Sequence, residues 1–68
     1  MDIRESVIKR TAAQLGINEN QVTLETVIPN MSCLAICVAL DADIDRILKI
    51  NDLNVQRTVG QAIAEFGG

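Results

Sequence analysis

Ile28-Pro29-Asn30-Met31-Ser32-Cys33-Leu34-Ala35-Ile36-Cys37-Val38-Ala39-Leu40 is the stretch on which the reading of this 68-residue chain turns. Pro29 disfavours helical geometry at Ile28, and Asn30 is a good N-cap. The spacing therefore predicts a helix from about Met31 to about Asp45. Met31, Leu34, Cys37, Val38, Leu40 or Asp41, and Ile44 follow the helical period. Cys33, Ala35, Ile36 and Ala39, however, make the first two turns apolar nearly all round. Such a helix is either wholly buried or turned toward a partner. A chain this short cannot enclose it. Asn30, Met31, Cys33, Ala35, Ile36 and Ala39 are accordingly expected to form a partner-docking surface.

Working outward, Asp2 to Leu15 also has helical period. Ile3, Val7, Ile8, Ala12 and Leu15 share a stripe, with Arg4, Glu5, Lys9 and Arg10 mostly off it. Asp2 reads as N-cap with Glu5 completing a capping box, and Gly16 as a left-handed stop. Ile17 to Asn30 reads as a long connection in which Val22, Leu24, Val27 and Ile28 anchor the loop to the helices. Val22-Thr23-Leu24 alternates like a strand but has no partner strand, so a sheet is rejected. Beyond the central helix, Ile47, Leu48 and Ile50 form an apolar connection, and Asn51 to Val55 is expected to make a short helical turn. Thr58 and Gln61 form a second capping box. It opens a last helix with Val59, Ala62, Ile63 and Phe66 as its buried stripe and Gly67-Gly68 as its end. The sum is one all-α domain, residues 1–68, folded as a small three-to-four-helix bundle.

Composition removes several classes of function. The net charge is −3, which argues against nucleic acid, whose phosphates call for a basic face. There is no His, Trp or Tyr, and Phe66 is the sole aromatic, so base stacking and aromatic cages are not expected. Without His, nucleophile–imidazole catalysis is excluded, and two cysteines are too few for a zinc or iron site. The stretch from Met31 to Leu40 is too short to span a bilayer, and the N-terminus has no apolar signal core. Cys33 and Cys37 lie four apart in a helix, where the geometry for a disulfide is poor. Both are read as reduced, which points to the cytoplasm. Cys33 is weighed as a reactive thiol near a helix start against a small apolar helix residue, and the second reading is favoured.

Two blocks of residues resemble the acyl carrier protein family. The first is Ile3, Glu5, Val7, Lys9, then Gln14-Leu15-Gly16-Ile17 and Val22-Thr23. The second is Ile36 to Leu40, an acidic stretch ending at Ile44, then Thr58-Val59 and Ala62-Ile63. The resemblance implies a carrier-type helical bundle without enzymatic activity of its own. Such a protein bears 4′-phosphopantetheine on a serine and presents thioester-linked acyl groups to acyl-processing enzymes of fatty-acid, lipid or polyketide-type synthesis. The partner that loads it is a phosphopantetheinyl transferase. The chain departs from the family at that serine. The Asp-Ser-Leu motif and the Asp-Leu-Gly stretch before it are both missing, and the preceding loop is shorter.

Two placements then compete. A gapless one puts Asn30 at the serine position and Met31 at the leucine, and an amide is no substitute for a hydroxyl nucleophile. The other makes Ser32 the attachment site and rotates the helix face by roughly half a turn. Ser32 lies in the first turn either way, where free N–H groups and the helix dipole favour a phosphodiester. The alternative function is a carrier-fold protein without the prosthetic group, acting through its apolar second helix by self-association or by binding another protein. The resemblance also implies docking to basic enzyme patches through acidic residues of this helix, here Asp41 and Asp43; with Asp45 they lie at its C-terminal end, followed at once by Arg46 and Lys49, which dilutes the acidic field.

Overall fold

The computed structural model describes residues 1–67. Helix α1 spans Ile3–Leu15, α2 Met31–Ala42 and α3 Val59–Phe66, with single 3-10 turns at Glu19–Gln21 and Asp45–Lys49. Among the described residues there is no strand, only one antiparallel bridge between Val27 and Thr58. The described residues form a small all-α bundle of three helices.

Local hydrogen bonding explains where each helix starts and stops. Asp2 accepts from Arg4 N–H at α1, Asn30 from Cys33 N–H at α2 and Thr58 from Gln61 N–H at α3. Each supplies one of the acceptors a helix start lacks. The Thr58–Gln61 capping box is present in full. At α1 the Asp2 side chain takes the Arg4 N–H instead of forming the expected box with Glu5, so the first turn is capped from one side. Gly16 closes α1 at φ 70° and Gly67 closes α3 at φ 85°, both left-handed as expected of residues without a Cβ. The other half of the Gly67-Gly68 pair lies outside the described residues.

Helix α2 ends earlier than the expected Asp45. Asp43 adopts φ 54° and its N–H bonds Ala39 O, which terminates the helix after Ala42. Aspartate tolerates this left-handed geometry better than most side chains, so it serves where a glycine would have marked the stop. The short helical turn follows at once, at Asp45–Lys49, rather than at Asn51 to Val55. The latter segment is a non-helical turn with Asp52 at φ 61° and Val55 N–H bonded to Asp52 O at 2.9 Å.

Helix α1 packs against both α2 and α3, and α2 rests on the Asp45–Lys49 turn. Their shared core holds Ile3, Val7, Met31, Leu34, Val38 and Phe66, with Ile28 and Ile47 supplied by the connections. Of the four expected loop anchors, Ile28 is fully buried and Val22 is partly buried, whereas Leu24 and Val27 are exposed. Leu15 is likewise exposed and adds little to the α1 stripe.

Two polar clamps hold this arrangement. Between α1 and α2, Arg10 donates to both carboxylate oxygens of Asp41, at 2.8 Å from Nε and 2.7 Å from Nη2. Ser6 Oγ donates to Asp41 Oδ2 at 2.7 Å. Between the last connection and α3, the buried Arg57 pairs with Glu65 and donates from Nη1 to the carbonyls of Asp52 and Val55, each at 3.1 Å.

Candidate functional site

The site expected from sequence is the start of α2, and its geometry begins with Asn30. The Asn30 side chain accepts from Cys33 N–H at 3.0 Å. Its backbone is gripped by Gln14 of α1: Asn30 N–H donates to Gln14 Oε1 at 3.0 Å, and Gln14 Nε2 donates to Asn30 O at 3.2 Å. This reciprocal pair fixes the first turn of α2 against the end of α1. Asn30 therefore acts as a structural cap, and its side chain is engaged within the helix rather than offered to a partner.

Ser32 lies two residues further on, exposed, in the first turn. Met31 N–H and Ser32 N–H have no intrahelical acceptor, because the first N–H groups of any helix lack one. An open cleft of about 360 Å³ lies beside them, lined by Ile28, Pro29 and Met31 on one side and by Leu53, Asn54, Val55 and Gln56 on the other. No charged residue lines this cleft. Its far wall was not foreseen from sequence, because it is placed by the Arg57 clamp on the carbonyls of Asp52 and Val55.

The expected docking surface divides into two faces. Met31, Ala35 and Ala39 are buried in the core, so they present nothing to a partner. This corrects the sequence reading. A helix apolar on every side does not reveal which side faces inward, and α1 selects the face carrying Leu34, Ala35, Val38 and Ala39. Cys33 and Ile36 do face outward, joined by Leu40, which is 76% exposed. Leu40 and Ile36, with Ile44 and Leu48, border a second open groove of about 440 Å³ that also includes Asp43 and Asp45. Asp43 is exposed there.

Asp41 behaves differently from Asp43. Both its oxygens are occupied by Arg10 and Ser6. The Arg10 hydrogen bonds first, then the Ser6 hydroxyl, hold its carboxyl well below the usual carboxylate range. It is a tie between α1 and α2, not a free docking charge. Arg46 reaches the end of α3, where Nη2 donates to Phe66 O at 3.4 Å.

Cys33 is an exposed thiol and Cys37 a half-buried one. Burial, followed by the interaction with the Cys33 thiol, pushes the Cys37 thiol up. No group of three or more His, Cys, Asp or Glu side chains is placed to hold a metal ion among the described residues. No helix among them is long and apolar enough to cross a membrane.

Comparison with protein families, with characterised proteins and with solved structures returned no match.

Proposed function

We propose that the chain is a carrier-type protein that bears a phosphopantetheine-linked group on Ser32 and presents it to acyl-processing enzymes, making no bonds itself. The observation that carries this reading is the setting of Ser32. It is an exposed hydroxyl in the first turn of α2, beside two free N–H groups and a cleft with no charged lining. The residues around Ser32 fit the group. A phosphodiester on Ser32 would meet the positive end of α2 without an opposing carboxylate. The amide-rich arm would have Asn54 and Gln56 as polar neighbours and Leu53 and Val55 as apolar ones. The prosthetic group would supply the thiol that carries the acyl chain; the protein's part is to hold the serine outward on a fixed turn. The residue blocks shared with acyl carrier proteins support the same reading.

A second reading rests on a different observation. Ile36, Leu40 and Leu48 are each at least half exposed, on α2 and the turn after it. An apolar face of that kind is what an interaction module without a prosthetic group would use, and Asn30 at the family's serine position favours it.

Intact mass decides between the two. The chain is incubated with coenzyme A and a broad-specificity phosphopantetheinyl transferase, beside a Ser32→Ala control. Addition of one phosphopantetheine, lost in the control, supports the carrier. An unchanged mass in a chain shown to be folded removes the carrier reading and leaves the interaction module.

A further inference from the structure

We propose that Cys33 and Cys37 form a two-sulfur site for a soft, two-coordinate cation of the Cu(I) class on the outer side of α2. The proposal does not depend on the reading of Ser32.

The first observation is that the pair has the wrong span for a disulfide and the right one for a bridging metal. Both residues belong to the regular helix Met31–Ala42 and are one turn apart. Side chains at that separation have Cβ atoms roughly 5–6 Å apart, whereas a disulfide needs roughly 3.5–4.5 Å. Two metal–sulfur bonds, taken at the ~2.3 Å of a zinc thiolate, set the sulfurs about 4.6 Å apart in a linear arrangement. The one-turn spacing of a regular helix suits that longer span better than a disulfide's. Cys33 is exposed and Cys37 half-buried, so the pair is open to solvent.

The second observation is what surrounds the sulfurs. Asp41, one turn beyond Cys37 on the same helix, has its oxygens taken by Arg10 and Ser6, so it is not available as a third ligand. A zinc ion, which takes four ligands, is therefore not satisfied, and no larger cluster of ligands is placed nearby among the described residues. Thiolates select soft cations, and a d10 monovalent ion is content with two sulfurs. Binding breaks two S–H bonds, forms two S–Cu bonds and releases two protons to solvent. No electron is transferred.

The test is an anaerobic titration of the reduced full chain with Cu(I) against a chromophoric Cu(I) chelator, with native mass spectrometry for stoichiometry. Wild type is compared with Cys33→Ser and Cys37→Ser, and helicity is checked by circular dichroism. One Cu(I) per monomer is expected, bound roughly 100-fold more tightly than by either variant, the gain from linking two donors on one scaffold. Cys33→Ser alters an exposed position, so it separates loss of a ligand from loss of the fold. Equal affinity in Cys33→Ser, or one Cu(I) shared between two chains, overturns the intrahelical site. Zn(II) bound as tightly as Cu(I) overturns the two-coordinate assignment.

Discussion

Replacing Leu34 by alanine, beside the same change at Leu40, tests which face of α2 is buried. Both are leucines in one helix, six residues apart in sequence. Leu34 is completely buried among α1 and α3 core residues, whereas Leu40 is 76% exposed. Truncating a buried leucine removes its transfer free energy and leaves a cavity, about 3 kcal/mol together. A domain of this length has roughly 3–10 kcal/mol of stability in all, so Leu34→Ala removes a third or more. With a urea slope of about 1 kcal/mol/M for a small domain, its unfolding midpoint falls by about 3 M, or the folded baseline disappears. Leu40→Ala gives up little buried area and gains slightly in helix propensity, so its midpoint stays within about 0.5 M of wild type. Urea titration followed by circular dichroism reads both. Equal midpoints for the two variants, or a larger loss for Leu40→Ala, would show that α2 is rotated. The division into a buried Ala35–Ala39 side and an outward Ile36–Leu40 side would fall with it.

Two further outcomes follow from the polar clamps. Because the folded-state carboxyl of Asp41 is held below its ordinary value, its contribution to stability is fully present above about pH 4, the unfolded carboxylate value. It is lost as pH falls from there toward the depressed folded value. Asp41→Asn should therefore lower the midpoint at pH 6 and flatten the acid limb between pH 4 and 2, and an unchanged acid limb would place the titration elsewhere. At the second clamp, Arg57→Leu strips the acceptors Asp52 O and Val55 O of their charged donor, at a cost of roughly 1.5–3 kcal/mol or more. Glu65→Gln touches the more exposed partner and should cost under about 1 kcal/mol; parity between the two by chemical denaturation would contradict the carbonyl-staple account of Arg57.

The readings that held were those whose cause lies within one turn of chain. Asn30, Gly16, and Thr58 with Gln61 mark helix ends through hydrogen bonds to residues three or four positions away, and those partners are written beside them. The buried stripe of α3 was legible because polar residues occupy its other side. Helix α2 lacked that contrast, so Met31, Ala35 and Ala39 were assigned to the docking face, when α1 and the Asp45–Lys49 turn bury them. The end of α2 was missed because an aspartate fills the left-handed position that a glycine would have advertised. Arg57 and the Arg10–Asp41 tie were not legible either. A charged residue becomes a clamp only once distant backbone brings it a partner, and Arg10 and Asp41 stand 31 residues apart. The position of Ser32 near the start of α2 was legible, whereas the Leu53–Gln56 wall beside it depends on that same long-range closure.

The backbone bonds between the long first connection and α3 have a kinetic consequence. Ile28 N–H donates to Arg57 O, Val59 N–H to Thr26 O and Gly60 N–H to Leu24 O, each at 2.9 Å. The eight-residue α3 is too short to persist alone, and the Thr26 and Leu24 carbonyls satisfy donors at its start that would otherwise need water. Forming α3 thus requires the chain between Thr26 and Val59, α2 included, to close first, and the entropy of that closure precedes its reward. The last helix and the first connection should consequently order together, as one late cooperative step, although they lie in opposite halves of the chain.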